Sequence, residues 1–218
     1  MFAQTLFVQW KWNRDFLAFY TIVATAGPLL ILWIALPQLG LTSARELVTV
    51  GRAVGAASAV IAVLAGLTLA WQGYGIDDRG GHIYALSLPV TRARLLAMRA
   101  ATASLLLVLP AVGVWAGAAF AANQANLPPT LESYSGSLAV RALLASWLAH
   151  SCMFALRYGA GRRAKAIGAT LAIGGSLFAL LALLSPGVRE LMSVVGDALI
   201  SNPGPFGVLF GGWTMIDV

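Results

Sequence analysis

The sequence predicts an all-α polytopic transmembrane helical bundle, one domain over residues 1–218, and three observations predict it. Of the 218 residues, 59% are hydrophobic and only 10% are charged, against about 25% in an ordinary soluble domain. The mean hydropathy of +0.82 means more apolar surface than a water-soluble fold of this size hides, and far too little polarity for a disordered chain. The charges also gather between long charge-free windows, most of them near the roughly 20 residues that a helix needs to cross a bilayer.

The elements follow in order. Over residues 1–15, Phe2, Leu6, Phe7 and Trp10 recur at helical spacing among Gln4, Gln9, Lys11, Asn13 and Arg14. That pattern predicts an amphipathic helix lying in the interface, with Trp10 and Trp12 at headgroup depth. It is not a secretory signal, because no small-residue cleavage site follows the apolar start. Spans are expected at about 16–37, 53–76, 100–122, 141–158 and 166–186. The fourth is short, and it crosses if Arg141 and Arg157 extend their charged ends to the two interfaces. Two stretches, Gly51 to Gly55 and Gly113 to Gly117, have the GxxxG spacing that lets backbones approach closely. Close packing of membrane helices is their ordinary meaning, and a subunit interface is the alternative. Residues 187–218 carry Arg189, Glu190 and Asp197 and are interrupted at Asn202-Pro203-Gly204-Pro205. They read as a broken helical segment on the outer side.

Orientation follows from the basic residues. With the N-terminus in the cytoplasm, the inner segments hold Lys11, Arg14, Arg79, Arg92, Arg94, Arg99, Arg157, Arg162, Arg163 and Lys165, while the outer ones hold Arg45, Arg52, Arg141 and Arg189. The positive-inside rule therefore puts the N-terminus inside. It also accounts for the net charge of +6 without any nucleic-acid partner. The expected location is a cell membrane, the plasma or inner membrane of a bacterium.

Catalytic and metal readings find little support. No Asp or Glu lies within any span, so paired intramembrane carboxylates are excluded. Cys152 is the single cysteine, and the two histidines stand far apart, so neither a disulfide nor metal-ligand spacing exists. Gly159 to Lys165 has glycines and a lysine but not the spacing of a phosphate loop. The chain is thus not an enzyme by any motif it carries. His150 is the one ionisable group deep in a span, which makes it a functional suspect. A neutral histidine hydrogen-bonded to a neighbouring helix is the simpler role, and a transport-pathway contact is the alternative.

The connection between the second and third spans is the informative one. Asp77 and Asp78 precede the glycine pair Gly80-Gly81, where a turn is expected; His82 to Leu88 gives a short helix with Ile83 and Leu86 on an apolar side; Pro89 ends it. Thr91 is then a natural N-cap for a helix from Arg92 onward. The run from Asp77 through Leu88-Pro89-Val90-Thr91-Arg92 to Arg99 resembles the cytoplasmic loop of the type-2 permeases of ATP-binding-cassette (ABC) transporters. The match lies at Asp77, Gly80, Leu86, Pro89, Val90 and Arg92, with Thr91 in place of the usual Ser and Arg99 in place of the usual Lys. Gly81 and His82 depart from the usual Gly-Thr pair.

The resemblance implies that this loop holds a cytoplasmic coupling helix around Asp77, Asp78, Gly80, Ile83, Leu86, Pro89, Val90, Thr91 and Arg92, docked on a separate ABC ATPase subunit. It implies that residues 1–15 form an elbow helix, that a second permease copy or a paralogue completes the pathway, and that ATP and Mg are bound by the partner, none by this chain. The function implied is export of a substrate powered by that ATPase. The family has six spans, and five windows are found here. The alternative reading is a non-transporting membrane scaffold subunit of a larger complex.

Overall fold

The structure, a computed structural model, describes residues 2–39, 44–79, 91–125, 131–160, 213 and 215–217, together with Gly187, Glu190 and Val194. Two compact units divide the chain, one of Met1–Phe154 with Trp213–Val218 and one of Ala155–Gly212. The expected fifth span at 166–186 lies outside the described residues, as does most of 187–218.

Five helices and two short strands are described: α1 (Phe2–Leu39), α2 (Ala44–Arg79), α3 (Arg92–Leu106), α4 (Val108–Gln124), β1 (Glu132–Ser133), α5 (Ser135–Ala160) and β2 (Ile216–Asp217). By length and composition four stretches can cross a membrane: Phe2–Ala35, Glu46–Gly73, Ala93–Gln124 and Ser135–Arg157. The chain is a helical, multi-pass membrane protein. Its outward faces agree with that: Phe19, Ile22, Trp33, Val60, Val112, Trp115 and Val140 are all exposed, a surface suited to lipid.

Residues 2–39 form one helix rather than an interfacial helix followed by a span. At about 1.5 Å per residue this helix is some 57 Å long, well beyond a hydrocarbon core of about 30 Å. A single buried stripe runs from Asn13 to Leu32, across the boundary expected at residue 15. Leu17, Ala24 and Leu32 are buried on it, and so is the polar Asn13 one turn before Leu17. Nothing between Trp10 and Tyr20 breaks a helix. Thr21 and Thr25 return their hydroxyls to the carbonyls of Leu17 and Thr21, at 2.7 and 2.8 Å.

The third crossing, expected as one helix over 100–122, starts earlier and is broken once. Leu107, with φ −69° and ψ −11°, separates α3 from α4. Pro110 explains the break: it has no amide to give the Leu106 carbonyl four residues back, and its ring crowds that carbonyl. Leu107 itself is fully buried. It belongs to a core formed with Leu17, Ala65, Leu69, Ala103 and Leu106, against which Leu6, Tyr20 and Leu143 also pack.

Contacts fix the directions of the helices. α1 runs parallel to α3 and α4, since Gln9 meets Arg99 and Thr102 while Thr21 and Thr25 meet Gly113 and Gly117. α2 runs antiparallel to α1, with the Tyr20 and Thr68 hydroxyls 2.8 Å apart and Ile61 against Gly27. α5 crosses α2 where Gly66 faces the backbone of Ser146 and His150, and the Trp147 indole donates to the Ser104 carbonyl at 3.0 Å.

The two strands were not expected from sequence. β1 and β2 pair antiparallel, Glu132 opposite Asp217 and Ser133 opposite Ile216. The Tyr134 amide donates to the Met215 carbonyl at 2.9 Å, and the Met215 amide donates to the Gly51 carbonyl at 3.2 Å. Where the sequence suggested a broken helical segment reaching residue 218, the described end of the chain is therefore extended. It lies on the N-terminal turns of α2, at the end of the bundle opposite Phe2.

Both GxxxG stretches are filled from within the chain. A Cβ at Gly51 would lie 3.0 Å from the Ile216 amide, and one at Gly55 would fall on the Trp213 carbonyl. A Cβ at Gly113 would meet the Thr21 carbonyl at 2.8 Å, and one at Gly117 would meet the Thr25 Cα at 2.9 Å. The close approach that this spacing allows is used here by β2 and by α1.

Candidate functional site

The end of the bundle that holds the start of α1 also carries the site read from the sequence, and the two borders of that site are described. α2 continues as helix through Asp77 and Asp78 to Arg79, so the two acidic residues sit on its last turn; the turn expected at Gly80-Gly81 lies outside the described residues. α3 begins at Arg92, and Thr91 is its N-cap as the sequence suggests. Thr91 is extended, with φ −65° and ψ 145°, and its hydroxyl accepts from the Arg94 amide at 3.4 Å. The Leu95 amide donates to the Thr91 carbonyl at 3.0 Å. Capping of this kind satisfies one of the four free amides at a helix start and contributes about 1 kcal/mol. Gly80, Ile83, Leu86, Pro89 and Val90 lie outside the described residues. The chain they belong to is held between two helix ends, one of α2 and one of α3.

α3 is attached to α1 just above this border by a polar clamp. The Thr102 hydroxyl donates to Gln9 Oε1 at 2.6 Å, with the Arg99 carbonyl 3.0 Å away as a second acceptor. Gln9 Nε2 donates to the same Arg99 carbonyl at 3.4 Å. Asn13 gives its amide to the Gln9 carbonyl at 2.8 Å. Asn13, Arg99 and Thr102 are 1%, 8% and 0% exposed, so this is an interior polar cluster. Such a network fixes one register of its helices, although Asn13 Oδ1 is left buried without a partner among the described residues.

Sequence reasoning missed this clamp. It set Gln9 and Asn13 on the wet side of an amphipathic helix whose apolar side, with Phe7 and Trp10, faces the membrane. Phe7 and Trp10 are exposed, as a membrane-facing side would be, but Asn13 is buried against the other helices. The available signal was the spacing from Leu6 through Asn13 to Leu17 and Ala24, which keeps one stripe facing inward across the supposed boundary at residue 15.

His150 lies elsewhere, on α5. It is 4% exposed, and neither Nδ1 nor Nε2 has a hydrogen-bond partner among the described residues. The backbone of Gly66 on α2 nevertheless lies close enough to act on the imidazole as a hydrogen-bonding group, in the direction of the neighbouring-helix contact expected from the sequence. The ring also stacks near Phe154, with centroids 5.7 Å apart, where α5 passes the bare backbone of Gly66. A nearby recess lined by Ile61, Ala62, Pro110, Ala111 and Ser146 has a volume of about 10 Å³, room for one water at most. Among the described residues no group of three metal-ligating side chains occurs.

The described geometry sets the two ends of a connecting segment on helices and ties the second of these helices to α1. Compared with known proteins, the chain matches no family model, no curated protein and no solved structure.

Proposed function

We propose that this chain is the membrane-spanning permease subunit of an ABC exporter, and that Asp77 to Arg92 docks on a separate ATPase subunit. The observation that carries the reading is the run Leu86-Ser87-Leu88-Pro89-Val90-Thr91-Arg92 set between an acidic pair and Arg99. Supporting it, the segment leaves a long helix at Arg79 and enters a capped helix at Arg92. A push on such a segment is expected to reach the two helices that border it. The Gln9 and Thr102 clamp would then pass some of the movement to α1. Binding of ATP with Mg by the partner closes the ATPase pair; the segment moves as a lever; the permease halves, this chain and a second copy or a paralogue, reorganise and release substrate outward. The N-terminus is cytoplasmic in this reading and the membrane is that of a bacterial cell, in keeping with the inner clustering of Lys and Arg.

Pull-down from mild detergent tests it. The co-purifying chain should carry a phosphate loop. Leu86→Asp should lose that partner, because a carboxylate would be buried in an apolar pocket without a counter-charge, at several kcal/mol. Pro89→Ala should keep the partner and lose coupled ATP hydrolysis. An unchanged complex with Leu86→Asp, or a partner with no phosphate loop, makes the scaffold subunit the better description.

A further inference from the structure

The outer end of the bundle is held by a contact that is specific in shape and small in extent. Trp213, Met215 and Ile216 are 7%, 0% and 0% exposed, yet the ladder beneath them is two residues per strand. A pair of strands this short does not persist in isolation. It is held by Gly51 and Gly55, whose missing side chains leave the room that Ile216 and Trp213 occupy, and by the Gly51 carbonyl, which accepts from Met215. The contact also has a flaw: the indole Nε1 of Trp213 is buried without an acceptor among the described residues, which weakens the closed arrangement relative to one in which water reaches it. Arg52, between the two glycines, is exposed, so water is close at hand. One end of α2 thus enters the segment at Asp77, and the other is gripped by a contact that is closed but not strongly so.

We propose that Trp213 to Asp217 is a releasable strap that fixes the outer end of α2 to the start of α5, and that its opening frees α2 to move at that end. The link to transport rests on the permease reading, in which strap release accompanies outward opening. The strap itself is independent of that reading.

The test uses the full chain with Cys152→Ser and the pair Ser133→Cys and Ile216→Cys. Because Tyr134 donates to Met215, Ser133 and Ile216 form the neighbouring non-hydrogen-bonded pair. Such positions have Cα atoms about 4.5 Å apart, within reach of a disulfide. Oxidation should close the bond, and amide hydrogen exchange over Leu47 to Val54 should then slow by about tenfold and recover with reductant. Gly55→Ala, with Ile216 intact, gives the independent measurement: the added Cβ displaces Trp213, and exchange over the same residues should rise by about tenfold. A disulfide that does not form, or exchange over Leu47 to Val54 that ignores both the disulfide and Gly55→Ala, overturns the strap. None of these measurements involves an ATPase, so the strap and the permease reading fail separately.

Discussion

Two stretches of this chain share one spacing and hold different neighbours. Gly113 and Gly117, in the middle of a crossing, are covered by a helix, α1, through Thr21, Ala24 and Thr25. Gly51 and Gly55, near the outer end of α2, are covered by extended chain, Trp213 and Ile216. Depth explains the difference. Beside Gly113 stands Trp115, half exposed on an apolar outer face, and at that depth only a helix satisfies its own backbone. Beside Gly51 stands the exposed Arg52, at a level where water can serve the free edges of a short strand. The glycine spacing marks a low place on the helix surface; the surroundings decide what lies in it.

Substitutions at five positions put this difference and its surroundings to the test. Gly117→Ala should be the most damaging, since its Cβ would press on the Thr25 backbone and force α4 away from α1, at about 2–3 kcal/mol of stability. Gly55→Ala, the same change at the other stretch, should cost the bundle less than about 1 kcal/mol because the strap can lift away; limited proteolysis should instead show a newly cleavable C-terminus. Equal losses of melting temperature in detergent for the two variants would remove the distinction. Gln9→Ala works on the interface that Gly117 serves, from its inner end. It strips Thr102 and the Arg99 carbonyl of a partner and should cost about 1–2 kcal/mol, with Gln9→Asn too short to restore it.

Thr91→Ala should cost about 1 kcal/mol, localised to the first turn of α3, and Thr91→Ser should restore it; exchange rates at Arg94 and Leu95 give the measurement. His150→Leu should have the smallest effect. Neither ring nitrogen makes a hydrogen bond of good geometry, and loss of the contact with the Gly66 backbone should change stability by less than about 1 kcal/mol. A large loss would mean that the imidazole holds a polar contact essential to the crossing of α2 and α5.

Much of the architecture was legible in the sequence because charges in a membrane protein punctuate it. The window from Phe16 fell within α1, the windows at 53–76 and 100–122 fell within α2 and within α3 with α4, and Arg141 and Arg157 both fell within α5. Thr91 as a cap was legible because a hydroxyl before a helix-forming run after proline has one good use. Less legible was anything decided by a partner distant in sequence. Gln9 and Asn13 look wet until Thr102 and Arg99 stand beside them, and no local pattern announces residues 93 positions away, as Gln9 and Thr102 are. The strand at Ile216 was missed for the same reason: two residues carry no periodicity, and the groove that extends them lies on α2. The break at Leu107 was available in Pro110, but an apolar run of that length reads as continuous. At the inner site the borders are described and the segment from Gly80 to Val90 is not, so its motif is the ground for the proposed docking.

A photo-crosslinking residue in place of Leu86, activated in intact cells, tests that docking most directly. The predicted product is a covalent adduct between this chain and a protein with a phosphate loop, formed at Leu86 and not when the same residue replaces Trp33 on the lipid-facing side of α1. Adducts to lipid alone at both positions would contradict it, and would leave the segment as an anchor lying on the membrane.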